Sequence, residues 1–159
     1  MSKKIGPKSQ FKEVAVSKGY RVQNPSFSQR KNNIDVILEG QLKGKSTSVT
    51  VDIKKQNGKK NTQWVYVEYD NSKGGKGWIY GGAEFIVFET KNEFTFVSRK
   101  KLLDYLSKSE LIRWDLPYVD KAWNSKYRLF RRSGTLETIT QVKLSDVLCV
   151  SGVQTWQKL

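Results

Sequence analysis

The sequence predicts a single α+β domain in which helices flank a central mixed sheet. Its 159 residues are 37% hydrophobic, which suffices for one modest core. Apolar residues recur at helical spacing in two stretches, and several other stretches alternate or stay apolar over the length of a strand. No internal repeat or low-complexity linker divides the chain. We therefore expect one domain over residues 1–159, with a flexible basic tail at 1–7, a core at 9–98 and a C-terminal extension at 99–159.

The core is predicted to begin with a helix followed by strands. The helix starts at Ser9, a residue type that caps helices, and ends at Gly19. An Asn57-Gly58 pair, typical of two-residue hairpin turns, predicts that a return strand pairs with the strand before it. The strands of this part are expected at residues 20–22, 33–39, 48–55 and 62–69.

The rest of the chain is predicted to hold two hairpins and a helix. Residues 83–90 and 93–98 form the first hairpin, and Ser98 caps the helix RKKLLDYLSK. Residues 127–131 pair with residues 138–142 in the second hairpin. The five tryptophans are expected to pack in the core, with Trp78 and Trp123 as the exceptions.

The charge of the chain indicates a polyanionic partner. Twenty-nine basic and fifteen acidic side chains give a net charge of +14, and residues 1–62 alone carry +10. Such a field attracts nucleic acid, because each phosphate contact releases condensed counterions. A merely soluble basic protein would show the same excess. An anionic membrane surface is a weaker alternative, because no long amphipathic basic helix is evident.

Neither a secretory signal nor a membrane span is evident in the sequence. The N-terminus MSKKIGPKSQ lacks an apolar stretch, and no apolar run approaches the ~20 residues needed to cross a bilayer. We therefore expect an intracellular protein without a membrane partner.

The absence of histidine restricts the chemistry that the chain can perform. It excludes a Ser-His-Asp triad and histidine zinc ligands. The single cysteine, Cys149, excludes a disulfide framework and a cysteine zinc site. Any metal must therefore be held by carboxylate oxygens, which favour magnesium, manganese or calcium.

Two acids and a lysine form the candidate catalytic constellation. Asp52 and Lys54 lie two residues apart on a strand, so their side chains project from the same face. Asp35 lies in the preceding strand between two apolar residues. Two such carboxylates can share a magnesium ion, and the lysine can position water or offset charge on a phosphate.

These residues resemble the motif of the PD-(D/E)XK nuclease superfamily. The matching segments are FKEVA with Glu13, NIDVIL with Asp35, and VTVDIKK with Asp52 and Lys54. The resemblance covers roughly residues 9–69 and implies a restriction-endonuclease-like αβββαβ core. It also implies phosphodiester cleavage in DNA with Mg²⁺ or Mn²⁺, in which Asp35 and Asp52 are metal ligands, Lys54 is the catalytic lysine and Glu13 is an accessory ligand.

The chain departs from this family pattern in two places. Ile34 replaces the usual proline before the first aspartate. The helix expected after the third strand must fall on the glycine-bounded stretch GGKGWIYGG.

Further residues are candidates for the site and for nucleic-acid contacts. A two-residue turn at Asn57-Gly58 would place Gln63 opposite Asp52 on the same face, whereas Glu68 would enter only with an odd-length turn. Basic side chains that could grip the phosphate backbone, or simply be solvated, are Lys55, Lys59, Lys60, Lys73, Lys76, Arg128, Arg131 and Arg132.

The leading functional hypothesis is a Mg²⁺-dependent endodeoxyribonuclease. A homodimer would suit a nuclease that cuts two strands, although no dimer interface is evident in the sequence. The alternative is a non-catalytic basic nucleic-acid-binding protein, in which Asp52 and Lys54 form an ordinary ion pair. A third hypothesis is a basic partner of an acidic protein or of a ribosomal surface.

Overall fold

The computed structural model describes residues 5–42, 44–56, 58 and 63–159, with only the backbone of residues 41 and 42. Its helices are α1 (Pro7–Ser17), α2 (Phe27–Lys31), α3 (Arg99–Lys108) and α4 (Leu144–Val147), with short 3-10 helices at Trp78–Tyr80 and Ala122–Asn124. Its strands are β1 (Arg21–Gln23), β2 (Val36–Leu42), β3 (Lys45–Lys54), β4 (Trp64–Asp70), β5 (Phe85–Glu89), β6 (Glu93–Ser98), β7 (Phe130–Arg131), β8 (Thr138–Lys143) and β9 (Gln154–Gln157).

The chain forms two compact units, each built from separate segments. The first unit comprises Met1–Gln56, Gly82–Phe96 and Gln154–Leu159, and the second comprises Asn57–Gly81 and Val97–Val153. A six-stranded sheet has the order β1-β2-β3-β5-β6-β9, and a three-stranded sheet has the order β4-β8-β7. The fold is therefore α+β, and its larger sheet is mixed.

Strand β3 lies inside the six-stranded sheet and has a different kind of neighbour on each side. It pairs antiparallel with β2, with Val36 opposite Val51. It pairs parallel with β5, with Asp52 opposite Ile86. Both of its faces are covered at Val51, Asp52 and Ile53, which are all buried, as is typical of strands with parallel partners.

The predicted hairpin between β3 and β4 is wrong. Strand β4 pairs antiparallel with β8 in the other sheet, with Trp64 opposite Lys143. The edge of β3 that the hairpin would use is taken by β5, so tertiary pairing overrides the local turn signal. Asn57 of the expected turn lies outside the described residues. Gln63 is consequently not the strand partner of Asp52.

Most other elements agree with the predictions. Ser98 caps α3, its side-chain oxygen accepting the N–H of Lys101 at 3.3 Å. Strands β5 and β6 are neighbours in the sheet, and β7 pairs with β8. The stretch GGKGWIYGG contains only the 3-10 helix Trp78–Tyr80 and no α-helix. Strand β2 starts at Val36, later than predicted, so Asp35 directly precedes it.

The solvent exposure of the tryptophans agrees only partly with the prediction. Trp123 is 63% exposed, as expected. Trp78 is buried within the 3-10 helix, so its expected exposure is wrong. Trp114, which was expected in the core, is 55% exposed.

Helix α1 packs against the six-stranded sheet through one apolar face. Phe11, Val14 and Ala15 are buried and belong to the same hydrophobic cluster as Val51 of β3. The ring of Phe11 also stacks on Trp156 of β9, with centroids 5.7 Å apart. This packing fixes the orientation of α1 and therefore the direction of its other side chains. None of the helices in the described part of the chain is long and apolar enough to span a membrane.

The packing of α1 gives a prediction for stability. Phe11→Ala should lower the free energy of unfolding by about 3–5 kcal/mol, because it leaves a cavity under the helix. Chemical denaturation of the purified variants measures this loss. Phe27→Ala is the matched control, because Phe27 is 66% exposed and should change stability by less than about 0.5 kcal/mol. Equal losses in the two variants would contradict the packing described.

Candidate active site

Asp35 is held at the start of β2 by three contacts. Its backbone N–H donates to the carbonyl of Val51 at 2.8 Å. Its carboxylate oxygen Oδ2 accepts the N–H of Ile53 at 2.8 Å, and its Oδ1 lies 2.9 Å from the Nζ of Lys8. The carboxylate thus replaces a backbone acceptor at the end of the β2–β3 ladder, which fixes its position against β3.

Asp52 is a buried acid in the middle of the sheet. The residue is only 2% exposed. The Nζ of Lys54 lies 3.0 Å from its Oδ2, but none of the described residues makes a directed hydrogen bond to this oxygen. The charge of the carboxylate is therefore balanced by an ion pair, but its Oδ2 lacks a hydrogen-bond donor with good geometry.

The environment of Asp52 favours its protonated form. Burial raises its pKa to about 7, the charge of Lys54 opposes this rise, and the charge and carboxyl contact of Asp35 add to it. Asp35 also accepts the N–H of Ile53, which follows Asp52, so its carboxylate lies beside the same stretch of β3. Lys54 contacts the carboxylate of Asp52, so the structure brings Asp35, Asp52 and Lys54 together.

Lys8 is a fourth member of this cluster that was not predicted. It lies three residues before Phe11 and seven before Ala15 and therefore shares the face of α1 that packs on the sheet. That spacing in the sequence could have identified it. Glu13 follows Phe11 by two residues, about 200° around the helix. It is exposed, and the structure does not bring it to the two aspartates.

The acids present could hold a hard divalent cation with incomplete protein coordination. No group of three or more acidic or cysteine side chains suited to a metal occurs in the described part of the chain. Asp35 and Asp52 supply two carboxylates, and magnesium is commonly bound by one or two carboxylates with water and phosphate oxygens. The under-solvated Oδ2 of Asp52 suits such a ligand.

The remaining predicted residues belong to the second unit, directly follow β3 or lie outside the described residues. Gln63 and Glu68 belong to the second unit, at β4. Lys55 is exposed directly after β3, and Lys59 and Lys60 lie outside the described residues. Lys73 and Lys76 are exposed beside a turn that Asn71 closes, its side-chain oxygen accepting the N–H of Lys73 at 3.0 Å.

The three predicted arginines all have partners within the second unit. Arg128 donates to the carbonyl of Pro117 at 2.8 Å. Arg131 donates to the hydroxyl of Thr138 at 3.1 Å, and Arg132 forms a 3.0 Å ion pair with Glu137. These contacts are structural bonds of the unit, so the arginines are less available to phosphates than their charge alone suggests.

Comparison with models of known protein families, with curated proteins and with solved structures gives no match. The geometry of the Asp35, Asp52 and Lys54 cluster is therefore the basis for a functional proposal.

The raised pKa of Asp52 gives a prediction for the dependence of stability on pH. The folded state binds this proton more tightly than the unfolded state, so the protein should lose stability as pH rises from about 4 through about 7. Asp52→Asn removes this loss. Its stability relative to the parent should increase by up to about 4 kcal/mol between pH 4 and pH 8, since one pKa unit is about 1.4 kcal/mol.

Asp35→Asn is the matched control, and urea denaturation across this pH range is the measurement. This variant should be about 1 kcal/mol less stable than the parent at pH 8, because a charged acceptor for the N–H of Ile53 is lost. A parent whose stability rises steadily from pH 4 to pH 8 relative to Asp52→Asn would contradict the assigned environment of Asp52.

Proposed function

We propose that the protein is a divalent-metal-dependent nuclease that hydrolyses phosphodiester bonds in DNA. The observation that carries this proposal is the buried carboxylate of Asp52, which lies 3.0 Å from the ammonium group of Lys54. The carboxylate of Asp35 is bonded to the N–H of Ile53, the next residue of the same strand. The net charge of +14 supports a polyanionic substrate. The first unit, which carries the cluster, has fourteen basic and seven acidic side chains.

The energetics of the cluster favour a functional role over a structural one. A buried ion pair seldom stabilises a fold more than apolar packing would, because both charges lose their hydration. Asp52 has a pKa raised to about 7 and an incompletely satisfied oxygen between the buried apolar residues Val51 and Ile53. Perturbed acids of this kind, with a specific charged partner, concentrate at functional sites.

Asp35 and Asp52 would hold a Mg²⁺ or Mn²⁺ ion. When bound, such an ion supplies positive charge to the phosphate and orients water for attack. Lys8 occupies Oδ1 of Asp35 at 2.9 Å, so it competes with metal for that oxygen. Its side chain is 61% exposed and can move away at little energetic cost.

Lys54 would act on the phosphate. Its side chain is 26% exposed, whereas that of Asp52 is 3% exposed, so the ammonium group lies on the solvent side of the buried acid. There it can donate to a phosphate oxygen and stabilise the negative charge that develops during hydrolysis.

The resemblance implies an αβββαβ core, with which the order of elements in the first unit can be compared. In that unit α1, β1, α2, β2 and β3 precede β5, which pairs parallel with β3, so the short helix α2 separates the first two strands. The αβββαβ core has three consecutive strands after its first helix and a further helix before its last strand. Here the described part of that connection contains β4 and a 3-10 helix instead.

A non-catalytic nucleic-acid-binding protein is the second candidate. It is favoured by the ion pairs that neutralise both acids, Lys8 with Asp35 and Lys54 with Asp52. The lack of a third acid in the described part of the site also favours it.

Metal titration and plasmid nicking test the proposed nuclease. The parent should bind Mn²⁺ in calorimetry and convert supercoiled plasmid to the nicked form. Asp52→Ala should lose both properties. Lys54→Ala should keep Mn²⁺ binding but nick at least about 100-fold more slowly, because it loses one group that stabilises the developing charge.

Lys91→Ala is the matched control, because Lys91 is an exposed lysine of the same unit that lies outside the proposed site. Its nicking rate should stay close to that of the parent. Full nicking by Lys54→Ala would refute the role of this lysine. DNA binding without Mn²⁺ binding or nicking, retained in Asp52→Ala, would establish the second candidate instead.

A further inference from the structure

A short turn in the second unit presents an exposed tryptophan from a rigid base. The 3-10 helix Ala122–Asn124 carries Trp123, whose side chain is 63% exposed. The Nζ of Lys121 lies over its indole ring, 5.7 Å from the centroid. The exposed indole thus offers an aromatic face to a partner, with a cation beside it.

Buried polar residues fix the turn below Trp123. Ser125, Thr140 and Gln141 are all 0% exposed. The side chain of Gln141 donates to the carbonyl of Ala122 at 3.0 Å, and the hydroxyl of Thr140 donates to the carbonyl of Ser125 at 3.1 Å. Buried hydrogen bonds of this kind rigidify the backbone that they join. Trp123 is therefore held outward by the fold.

A second tryptophan, Trp64, lies against lysines near the C-terminal end of the same turn. The Nζ of Lys126 lies 5.0 Å from the ring centroid of Trp64, and that of Lys143 lies 5.8 Å from it. Tyr127, which follows Lys126, packs edge-on against Trp64 at 5.3 Å. Tyr127 has a φ of +56°, a strained conformation that persists only where the surroundings impose it.

The three lysines beside Trp123 and Trp64 are available to an anionic partner. In the part of the chain that the structure describes, none of Lys121, Lys126 and Lys143 forms an ion pair. In contrast, three arginines of the same unit, Arg113, Arg131 and Arg132, form ion pairs with acids. The second unit carries fifteen basic and eight acidic side chains, so its field also favours a polyanion.

We propose that this indole–lysine strip, formed by Trp64, Lys121, Trp123, Lys126 and Lys143, binds single-stranded nucleic acid. A base stacks on the exposed face of Trp123, and the lysines contact the backbone phosphates. Paired bases within a duplex do not offer their faces to a side chain, so the strip selects unpaired nucleotides. Binding here needs no metal and does not involve the acids of the first unit.

Fluorescence anisotropy with a labelled oligothymidine of about 12 nucleotides, a length within the usual footprint of such sites, tests the proposal. EDTA in the buffer keeps metal-dependent cleavage out of the measurement. Trp123→Ala should weaken binding about 10-fold or more, whereas Trp123→Phe should retain most of it, because a phenyl ring still stacks. Lys121→Ala should lower the dependence of affinity on salt concentration.

Phe27→Ala is the matched control, because Phe27 is 66% exposed and carries the Nζ of Lys31 over its ring at 4.7 Å. It should bind the oligonucleotide as the parent does. An equal loss in Phe27→Ala, or unchanged binding by Trp123→Ala, would overturn the assignment to Trp123. Equal weakening of duplex and single-strand binding by Trp123→Ala would overturn the selection of unpaired nucleotides.

A protein interface is the outcome that would replace the proposal. It would appear as no oligonucleotide binding by the parent, together with self-association that Trp123→Ala abolishes in sedimentation. Because the assay contains no metal, its failure leaves the proposed nuclease untouched, and failure of the plasmid assay leaves the strip untouched.

Discussion

The buried carboxylate of Asp52 imposes the strongest constraint on the first unit. Strand β3 has a neighbour on each edge and is covered on both faces at Asp52, so a charge there loses most of its hydration. Lys54 of the same strand offsets part of this loss through its ion pair with Asp52, and burial still raises the pKa of Asp52 to about 7. Asp35 adds a second negative charge to this environment. Burying these charged groups lowers the free energy of unfolding, and a bound cation or substrate would offset part of that loss.

The surroundings of this acid also explain why helix α1 matters to the site. The helix buries Phe11 against the sheet, and the same face carries Lys8 to the carboxylate of Asp35. Asp35 in turn accepts the N–H of Ile53 with its side chain, where β2 has not yet begun. Apolar packing thus determines which charged groups meet, and the charges themselves contribute little to holding the elements together.

Local patterns in the sequence were sufficient for many elements and for the central residues of the site. The alternation from Val49 to Lys54 placed Asp52 and Lys54 together, and the Ser98 cap located α3. The partner of β4 could not be predicted, because the Asn57-Gly58 signal is local whereas the pairing of β3 with β5 joins segments about thirty residues apart. Lys8 was missed because the helix was expected to begin at Ser9, whereas α1 begins at Pro7. The exposure of Trp123 was predicted, but the buried hydrogen bonds that hold it depend on contacts between Ala122 and Gln141 that spacing does not reveal.

The interleaved course of the chain has a consequence for its synthesis. The polypeptide passes between the two units four times, and β9 joins the edge of the six-stranded sheet only in its final segment. Trp156 on that strand lies against both Phe11 and Phe96. Until the segment that holds β9 has been synthesised, β6 lacks its outer neighbour, and that edge of the larger sheet is open to other chains.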